Sequence, residues 1–154
     1  MVEVAGVIIY GDKAYLHVEA RIKGNGFLAV EPVFVADLTT SSLTAAFEQV
    51  IAAGHPLIRA PSSLEMKFRT DPILKASGAK NWDELARHGA GYTITWHQNK
   101  ITLYISKLDQ KGRFISDPIK TRTFPIETPV SQLVDVILAD ARSRKKLDLT
   151  EKQD

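Results

Sequence analysis

The residue types that carry out chemistry are present in this chain, but their spacing matches no catalytic or metal-binding motif. The four histidines, His17, His55, His88 and His97, form no H-x-x-x-H or H-E-x-x-H pattern, and no G-x-S-x-G turn frames a serine. The chain has no cysteine, which excludes thiol nucleophiles, thiolate zinc sites and disulfides. We therefore predict no catalytic residue, metal, cofactor or small-molecule substrate, and expect the histidines to be surface residues or locally hydrogen-bonded.

The acidic residues are explained without catalysis. Asp83 and Glu84 fall in the first turn of a predicted helix, where negative charge complements the helix dipole. Asp135 and Asp140 are not spaced at i, i+4 and so do not share a helix face. The carboxylates therefore indicate no pair of a general acid and a general base.

The basic residues suggest an alternative function, nucleic-acid binding. Lys and Arg number 20 against 18 Asp and Glu, so the net charge of +2 by itself indicates no partner. Basic side chains nevertheless cluster near the C-terminus and on the extended segment before the last helix, at Lys120, Arg122, Arg142, Arg144, Lys145 and Lys146. Because a helix dipole also favours cations at its C-terminus, a purely structural role stays open for the C-terminal group.

The length and composition are typical of one globular domain. The chain has 154 residues, of which 44% are hydrophobic and 25% charged, and a chain of this size can bury a core without metals or disulfides. We predict a single domain over residues 1–141 and a charged, frayed tail over residues 142–154. No signal peptide and no run of about 18 apolar residues is present, so we expect a cytoplasmic protein without a membrane partner. No particular oligomeric state is indicated.

The first part of the chain has the pattern of a three-stranded antiparallel meander. Apolar runs between Val4 and Val35 are broken by turn-forming residues at 11–13 and 23–26. Pro32 lacks an N–H group, so the third strand is expected to be an edge strand or to carry a bulge at that point.

A longer helix follows this meander. Apolar residues recur at the helical spacing i, i+3, i+4, i+7 and i+8, at Leu43, Ala46, Phe47, Val50 and Ile51. Ser41 or Ser42 is expected to cap this helix, and Gly54 to end it. Residues 55–69 predict a crossing loop with a short strand near Leu64–Phe68.

Two short helices with clear start and stop signals come next. The signals are Asp71, Pro72 and Gly78 for the first helix, and Asn81, Glu84 and Gly89 for the second. In the second helix Trp82 and Leu85 share a face, and we expect both to be buried.

The last part of the chain predicts a second meander and a closing helix. Apolar and polar residues alternate on both sides of a turn at Gln98-Asn99, which predicts a hairpin with one apolar and one solvated face. The chain stays extended to Phe124, after which Thr128 is expected to cap a helix that starts at Pro129. The apolar face of this helix comprises Val130, Leu133, Val134, Ile137, Leu138 and Ala141.

Together these elements predict an α+β fold, a mostly antiparallel β-sheet of two meanders packed against amphipathic helices that cover one face. The pattern leaves open whether the two meanders form one sheet.

Three stretches of the sequence resemble the small immunity proteins of bacterial contact-dependent growth inhibition (CDI) systems. They are residues 26–35 (GFLAVEPVFV), 71–94 (DPILKASGAKNWDELARHGAGYTI) and 124–138 (FPIETPVSQLVDVIL). The family combines a Leu-Lys-x-x-Gly motif with a short Lys-x-Trp helix and a β-hairpin. Here the motif is Leu74-Lys75-Ala76-Ser77-Gly78, with Lys80 and Trp82 following it.

The resemblance implies a cytoplasmic, non-enzymatic protein whose partner is a cognate toxin. Proteins of this family bind the C-terminal toxin domain, usually a nuclease, that a neighbouring cell delivers. The matching residues are helix caps, turns and core positions, so they indicate a shared fold more strongly than a shared partner. No toxin-binding residue is carried over from the family.

Overall fold

The computed structural model describes residues 3–24 and 26–144 of the chain. The elements are β1 (Val4–Tyr10), β2 (Lys13–Ile22), β3 (Phe27–Asp37), α1 (Thr40–Ala53), β4 (Leu57–Ile58), α2 (Ser63–Phe68), α3 (Pro72–Ser77), α4 (Trp82–His88), β5 (Gly89–His97), β6 (Lys100–Leu108), β7 (Phe114–Ser116), β8 (Arg122–Pro125) and α5 (Val130–Ser143).

The first three strands form the predicted antiparallel meander. Val7 of β1 pairs with Leu16 of β2, and β3 is the edge strand on the far side of β2. The pairing of β2 with β3 shifts register between His17 and Val18, opposite the segment of β3 that contains Pro32. The expectation of an edge strand with a bulge at Pro32 is therefore confirmed.

The two meanders join in one sheet, which settles the question that the sequence pattern left open. β1 pairs antiparallel with β5, so that Val7 lies opposite Tyr92. The strand order is β3-β2-β1-β5-β6-β7, with β4 added parallel to β2 and β8 antiparallel to β6. The predicted hairpin turn is confirmed at Gln98 and Asn99, whose positive φ angles of 49° and 62° are those of a type I′ turn.

One face of the sheet, here called the inner face, carries the main core. The long helices α1 and α5 pack on it, and Phe47 of α1 and Ile137 of α5 are fully buried with Ile9, Leu16 and Ile94 of the sheet. The six predicted apolar residues of α5 lie toward this core, five of them buried and Val130 partly buried. This arrangement confirms the predicted α+β class with a mostly antiparallel sheet.

The other face, here called the outer face, is covered at one end only. Ile73 of α3 and Leu85 of α4 form a small second core with Tyr15, against which Ile8 and Tyr10 pack. Because Ile8 and Tyr10 alternate with the inward-facing residues of β1, α3 and α4 lie on the opposite side of the sheet from α1 and α5. Helices therefore cover parts of both faces, and the expectation of one covered face was too simple.

The expected solvated face of the second meander is also partly covered. Thr102 and Ser106 of β6 alternate with its apolar residues, yet they are only 8% and 9% exposed. Alternation assigns side chains to a face but does not say what packs on it. The prediction of a fully solvated face was therefore wrong.

Residues 63–68 form a helix, where a short strand was expected. The side chain of Ser62 accepts a hydrogen bond from the backbone N–H of Glu65, and the Glu65 carboxylate accepts one from the N–H of Ser62. This capping box satisfies two backbone donors at once and starts the helix. The six-residue helix is too short for an apolar period to show in the sequence.

Other helix starts differ from expectation by one to three residues. Thr39 caps α1 in place of Ser41 or Ser42, because its hydroxyl accepts from the N–H of Ser42. Pro129 is the N-cap of α5 and keeps an extended backbone, so the helix begins at Val130 without a side-chain cap from Thr128.

The capping signals of α3 and α4 are confirmed, but one predicted burial is wrong. Asp71 caps α3 and Asn81 caps α4 through side-chain oxygens that accept backbone N–H groups. Trp82 lies at the first position of α4 and is 42% exposed, whereas Leu85 is fully buried. The first turn of so short a helix projects beyond the small core.

Helix α5 ends at Ser143, and the tail from residue 145 onward lies outside the described residues. The division into a domain over 1–141 and a tail over 142–154 stays a prediction. No helix in the described ranges is long and apolar enough to cross a membrane.

Candidate functional site

The uncovered part of the outer face forms a cavity of about 230 Å³, here called the outer cavity. Residues from five strands line it, among them Ile8, His17, Glu19, Thr93, Tyr104 and Phe114. Its volume is below the roughly 300–1,000 Å³ of typical small-molecule sites, so it fits one large side chain better than a whole ligand.

Two glycines keep the cavity open. Gly6 of β1 and Gly91 of β5 line it and place no side chain in it. A Cβ atom built on Gly91 would lie 3.3 Å from Cδ1 of Ile8 and 3.6 Å from Oγ of Ser106. Any side chain at position 91 would therefore occupy part of the space.

A histidine and a glutamate form the polar wall of the outer cavity. His17 and Glu19 are two residues apart on β2 and so project from the same face. Nε2 of His17 lies 2.6 Å from Oε1 of Glu19, and their side chains are only 12% and 19% exposed. Apart from this contact, no side chain among the described residues pairs with the Glu19 carboxylate.

The second ring nitrogen of His17, Nδ1, is buried without a hydrogen-bond partner among the described residues. Buried polar atoms are nearly always paired, so this atom is an unusual feature of the fold.

Hydroxyl groups complete the cavity wall. Oγ of Ser106 accepts a hydrogen bond of 2.8 Å from the backbone N–H of Gly91. Thr93 and Tyr104 lie opposite each other on β5 and β6. The lining thus combines one carboxylate, one imidazole and five hydroxyl-bearing residues with the apolar surface of Ile8 and Phe114.

Two of the predicted nucleic-acid contacts, Lys120 and Arg144, are engaged inside the protein. The Asp140 carboxylate accepts from Nζ of Lys120 at 3.0 Å and from Nε of Arg144 at 2.8 Å. Arg144 also donates to the backbone oxygen of Ser106 at 2.6 Å, and its side chain is only 12% exposed. These two cations therefore have an internal partner.

The remaining predicted nucleic-acid contacts are Arg122, Arg142, Lys145 and Lys146. The guanidinium carbon of Arg122 lies 5.2 Å from the ring centroid of Phe124, in a cation–π arrangement. Arg142 is in the last turn of α5. Lys145 and Lys146 lie outside the described residues.

Asp140 is the centre of a network that the sequence pattern did not reveal. The hydroxyl of Tyr92 donates to its carboxylate at 2.6 Å across 48 residues of sequence. Burial by itself would raise the pKa of Asp140, but the hydrogen bonds from Tyr92, Arg144 and Lys120 outweigh it and hold the pKa below 3.8. Burial and the bond to Asp140 raise the pKa of Tyr92 well above 10.0. The network ties α5 to the sheet.

A second, more open groove of about 500 Å³ lies along α5. Lys120 and Arg122 line it together with Asp135 and Asp140, so its basic residues are matched by carboxylates. A surface selected for a phosphate backbone would show an excess of positive charge. The groove therefore does not have the charge of a nucleic-acid site.

The other histidines do not join the outer cavity. His55 is hydrogen-bonded to backbone atoms, with Nδ1 2.7 Å from the oxygen of Glu19 and Nε2 3.0 Å from the nitrogen of Glu3. His88 ends α4, and His97 is exposed at the end of β5. Within residues 3–24 and 26–144, no group of three His, Asp or Glu side chains is placed to hold a metal ion.

Comparison with solved structures shows the fold but not the family. No family model and no curated protein matches this chain. A chain of the CdiA-CT/CdiI toxin and immunity complex from Yersinia pseudotuberculosis superimposes with a TM-score of 0.62 and 10% identity, covering 91% of this chain and 96% of that chain. A protein of unknown function from Neisseria meningitidis gives the same TM-score of 0.62 with 14% identity, covering 92% of this chain and 95% of that chain. The chain thus shares its fold, over 91% of its length, with a chain of that toxin and immunity complex.

Proposed function

We propose that this chain is an immunity protein that binds and neutralises the cognate C-terminal toxin domain of a CDI system. The observation that carries the proposal is the shared fold, which extends over 91% of this chain and 96% of a chain in a toxin and immunity complex. The resemblance of residues 26–35, 71–94 and 124–138 to CDI immunity proteins supports it independently of the structure.

The proposed mode of action is occlusion without catalysis. A binding protein needs a surface whose polar groups are left for a partner, and the outer cavity supplies one. The Glu19 carboxylate in its lining pairs with no side chain of the described residues except His17, so it can accept further hydrogen bonds from a partner. We therefore place the toxin on the outer face, around His17 and Glu19.

The proposal includes two further points that follow from the family resemblance. The toxin domain is a nuclease, and neutralisation takes place in the cytoplasm of the protected cell. A nuclease must hold a phosphate backbone with basic side chains, so a protein that covers those side chains blocks the substrate. Binding alone then suffices for protection.

The direct test is co-purification of the tagged chain with the polypeptide encoded immediately upstream, followed by titration calorimetry. We expect a one-to-one complex with a nanomolar Kd, or about −12 kcal/mol of binding free energy. The complex should also suppress nuclease activity of the toxin domain in proportion to its occupancy. Absence of a complex at micromolar concentration would overturn the proposal.

The competing function, nucleic-acid binding, has a distinct result in the same series of experiments. It requires the purified chain to shift RNA or DNA at low salt, with affinity that falls steeply as salt is raised. Charge reversal at Arg122 and Arg142 should then abolish the shift. That outcome without a toxin complex would put the nucleic-acid function first.

A further inference from the structure

The outer cavity has a definite charge. Among the described residues that line it, Glu19 is the one carboxylate, and none is a lysine or arginine. The one side chain within hydrogen-bond distance of this carboxylate in the described ranges is that of His17. A group that enters the cavity therefore meets a negative wall that is largely shielded from water.

The charged group of the wall is a hydrogen-bond acceptor. Among the described residues, His17 is the one side chain that pairs with the Glu19 carboxylate, and a carboxylate can accept several hydrogen bonds. An entering carboxylate or phosphate would face like charge and offer no proton to Glu19. An entering aliphatic side chain would make no hydrogen bond to the carboxylate.

A side chain with several N–H groups and a positive charge is complementary to this carboxylate. Lysine presents three donors and arginine five, and neither accepts a hydrogen bond. Tyr104 and Phe114 are in the same lining, and aromatic rings attract cations. The volume of about 230 Å³ suits one such long side chain.

We infer that the outer cavity receives a single lysine or arginine side chain of the toxin domain, with the Glu19 carboxylate as its acceptor. This inference rests on the proposed function and specifies the chemistry of its contact. If the toxin is a nuclease, the captured cation is of the kind that would otherwise hold the phosphate backbone. One contact would then both anchor the complex and remove a substrate-binding group.

The first experiment measures the affinity of the upstream toxin domain for Glu19→Gln. Glutamine keeps the size of the side chain and an oxygen that accepts from His17, so the change removes mainly the charge. We expect Kd to rise about thirtyfold or more, which is the lower range for loss of one partner of a buried charge pair. Thermal unfolding of the variant should stay close to that of the original chain.

Glu48→Gln is the matched control. Glu48 is exposed on α1, on the inner side of the sheet and away from the cavity. It undergoes the same change of charge, and so it should bind the toxin domain with unchanged Kd. If Glu19→Gln also binds with unchanged Kd, the inference is wrong although the proposed function stands.

The second experiment needs no toxin. N-acetyl-arginine amide and, as an uncharged reference, N-acetyl-norleucine amide are titrated into the free chain at millimolar concentration, and backbone amide shifts are followed by NMR. We expect the arginine probe alone to move the amides of His17, Gly91 and Thr93, and Glu19→Gln to abolish the movement. Equal shifts with both probes, or no shift with either, would overturn the inference.

The two experiments separate the two proposals. If the arginine probe alone moves the amides but no toxin complex forms, the proposed function is wrong and the cavity still binds a cation. A tight toxin complex whose Kd does not change with Glu19→Gln would support the proposed function and contradict the inference about the cavity.

Discussion

The two faces of the sheet are built from the same strands but differ in the polarity of their side chains and in what covers them. On β2, Leu16 and Val18 point inward and are at most 1% exposed, while His17 and Glu19 point outward into the cavity. The inner face contains apolar side chains packed under two long helices. The outer face contains polar groups that are mostly shielded from water, one of them unpaired.

This difference separates the groups that stabilise the fold from those available for binding. Burial of apolar surface on the inner face supplies most of the stability, at roughly 25 cal/mol per Å². A buried polar atom without a partner among the described residues, such as Nδ1 of His17, works against stability. The fold tolerates that atom because the stabilising core lies on the other side of the sheet, so changes on the two faces should have different consequences.

The largest expected effect on stability comes from the inner face. Phe47→Ala removes a fully buried ring from the centre of α1 and should lower the free energy of unfolding by about 3–5 kcal/mol. Chemical denaturation measures this loss. Val35→Ala, at a side chain that is 55% exposed on the edge strand, is the control and should change stability by no more than about 0.5 kcal/mol. Equal effects of the two changes would mean that the inner core is not the stabilising one.

The next effect comes from the polar link between α5 and the sheet. Asp140→Asn removes the charge that pairs with Arg144 and Lys120, and it should cost about 2–3 kcal/mol because the Arg144 side chain is mostly buried. It should also make the free energy of unfolding less dependent on pH at acid pH. Folding holds the pKa of Asp140 below 3.8, so its contribution is complete above that pH and is lost as the pH falls toward the folded pKa.

Urea unfolding at several pH values tests this assignment. The original chain should lose stability from about pH 4 downward more steeply than Asp140→Asn, by the share that belongs to this carboxylate. Glu48→Gln serves again as a control, because Glu48 is exposed on α1. Parallel acid profiles for the original chain and Asp140→Asn would show that the network does not stabilise the fold.

The elements that were predictable from sequence are those with local signals. The caps at Asp71 and Asn81 and the turn at Gln98-Asn99 each act within a few residues, so their type and spacing suffice. The Ser62–Glu65 capping box was equally local and could have been used to predict α2.

The features that were not predictable depend on contacts between distant segments. Nothing near Val7 indicates that it pairs with Tyr92, and nothing near Tyr92 indicates a bond to Asp140. For the candidate site, strand alternation alone places His17 and Glu19 on one face. That this face forms a cavity depends on β5, β6 and β7, which are joined to it only by the tertiary fold.

Replacing Gly89 or Gly91 of β5 by alanine should affect stability less than the changes above, and by different amounts at the two positions. A Cβ on Gly89 would lie 2.6 Å from the backbone oxygen of Leu85 and 2.7 Å from that of Ile9. Neither oxygen can move without disturbing α4 or β1, so Gly89→Ala should cost about 1–3 kcal/mol. Thermal unfolding measures the loss, and an alanine variant as stable as the original chain would show that α4 can shift away from the sheet.

Gly91→Ala should have the smallest effect on stability and a clear effect on binding. Its Cβ would meet Cδ1 of Ile8 at 3.3 Å, and that atom is the flexible end of a side chain. We expect a cost below about 1 kcal/mol, since a rotamer change of Ile8 relieves the contact. The new methyl group nevertheless narrows the outer cavity, so the toxin domain should bind more weakly to a chain that is folded almost as well. If Gly91→Ala instead destabilises the chain as much as Gly89→Ala, the outer face is packed as tightly as the inner one, and the separation between folding and binding surfaces fails.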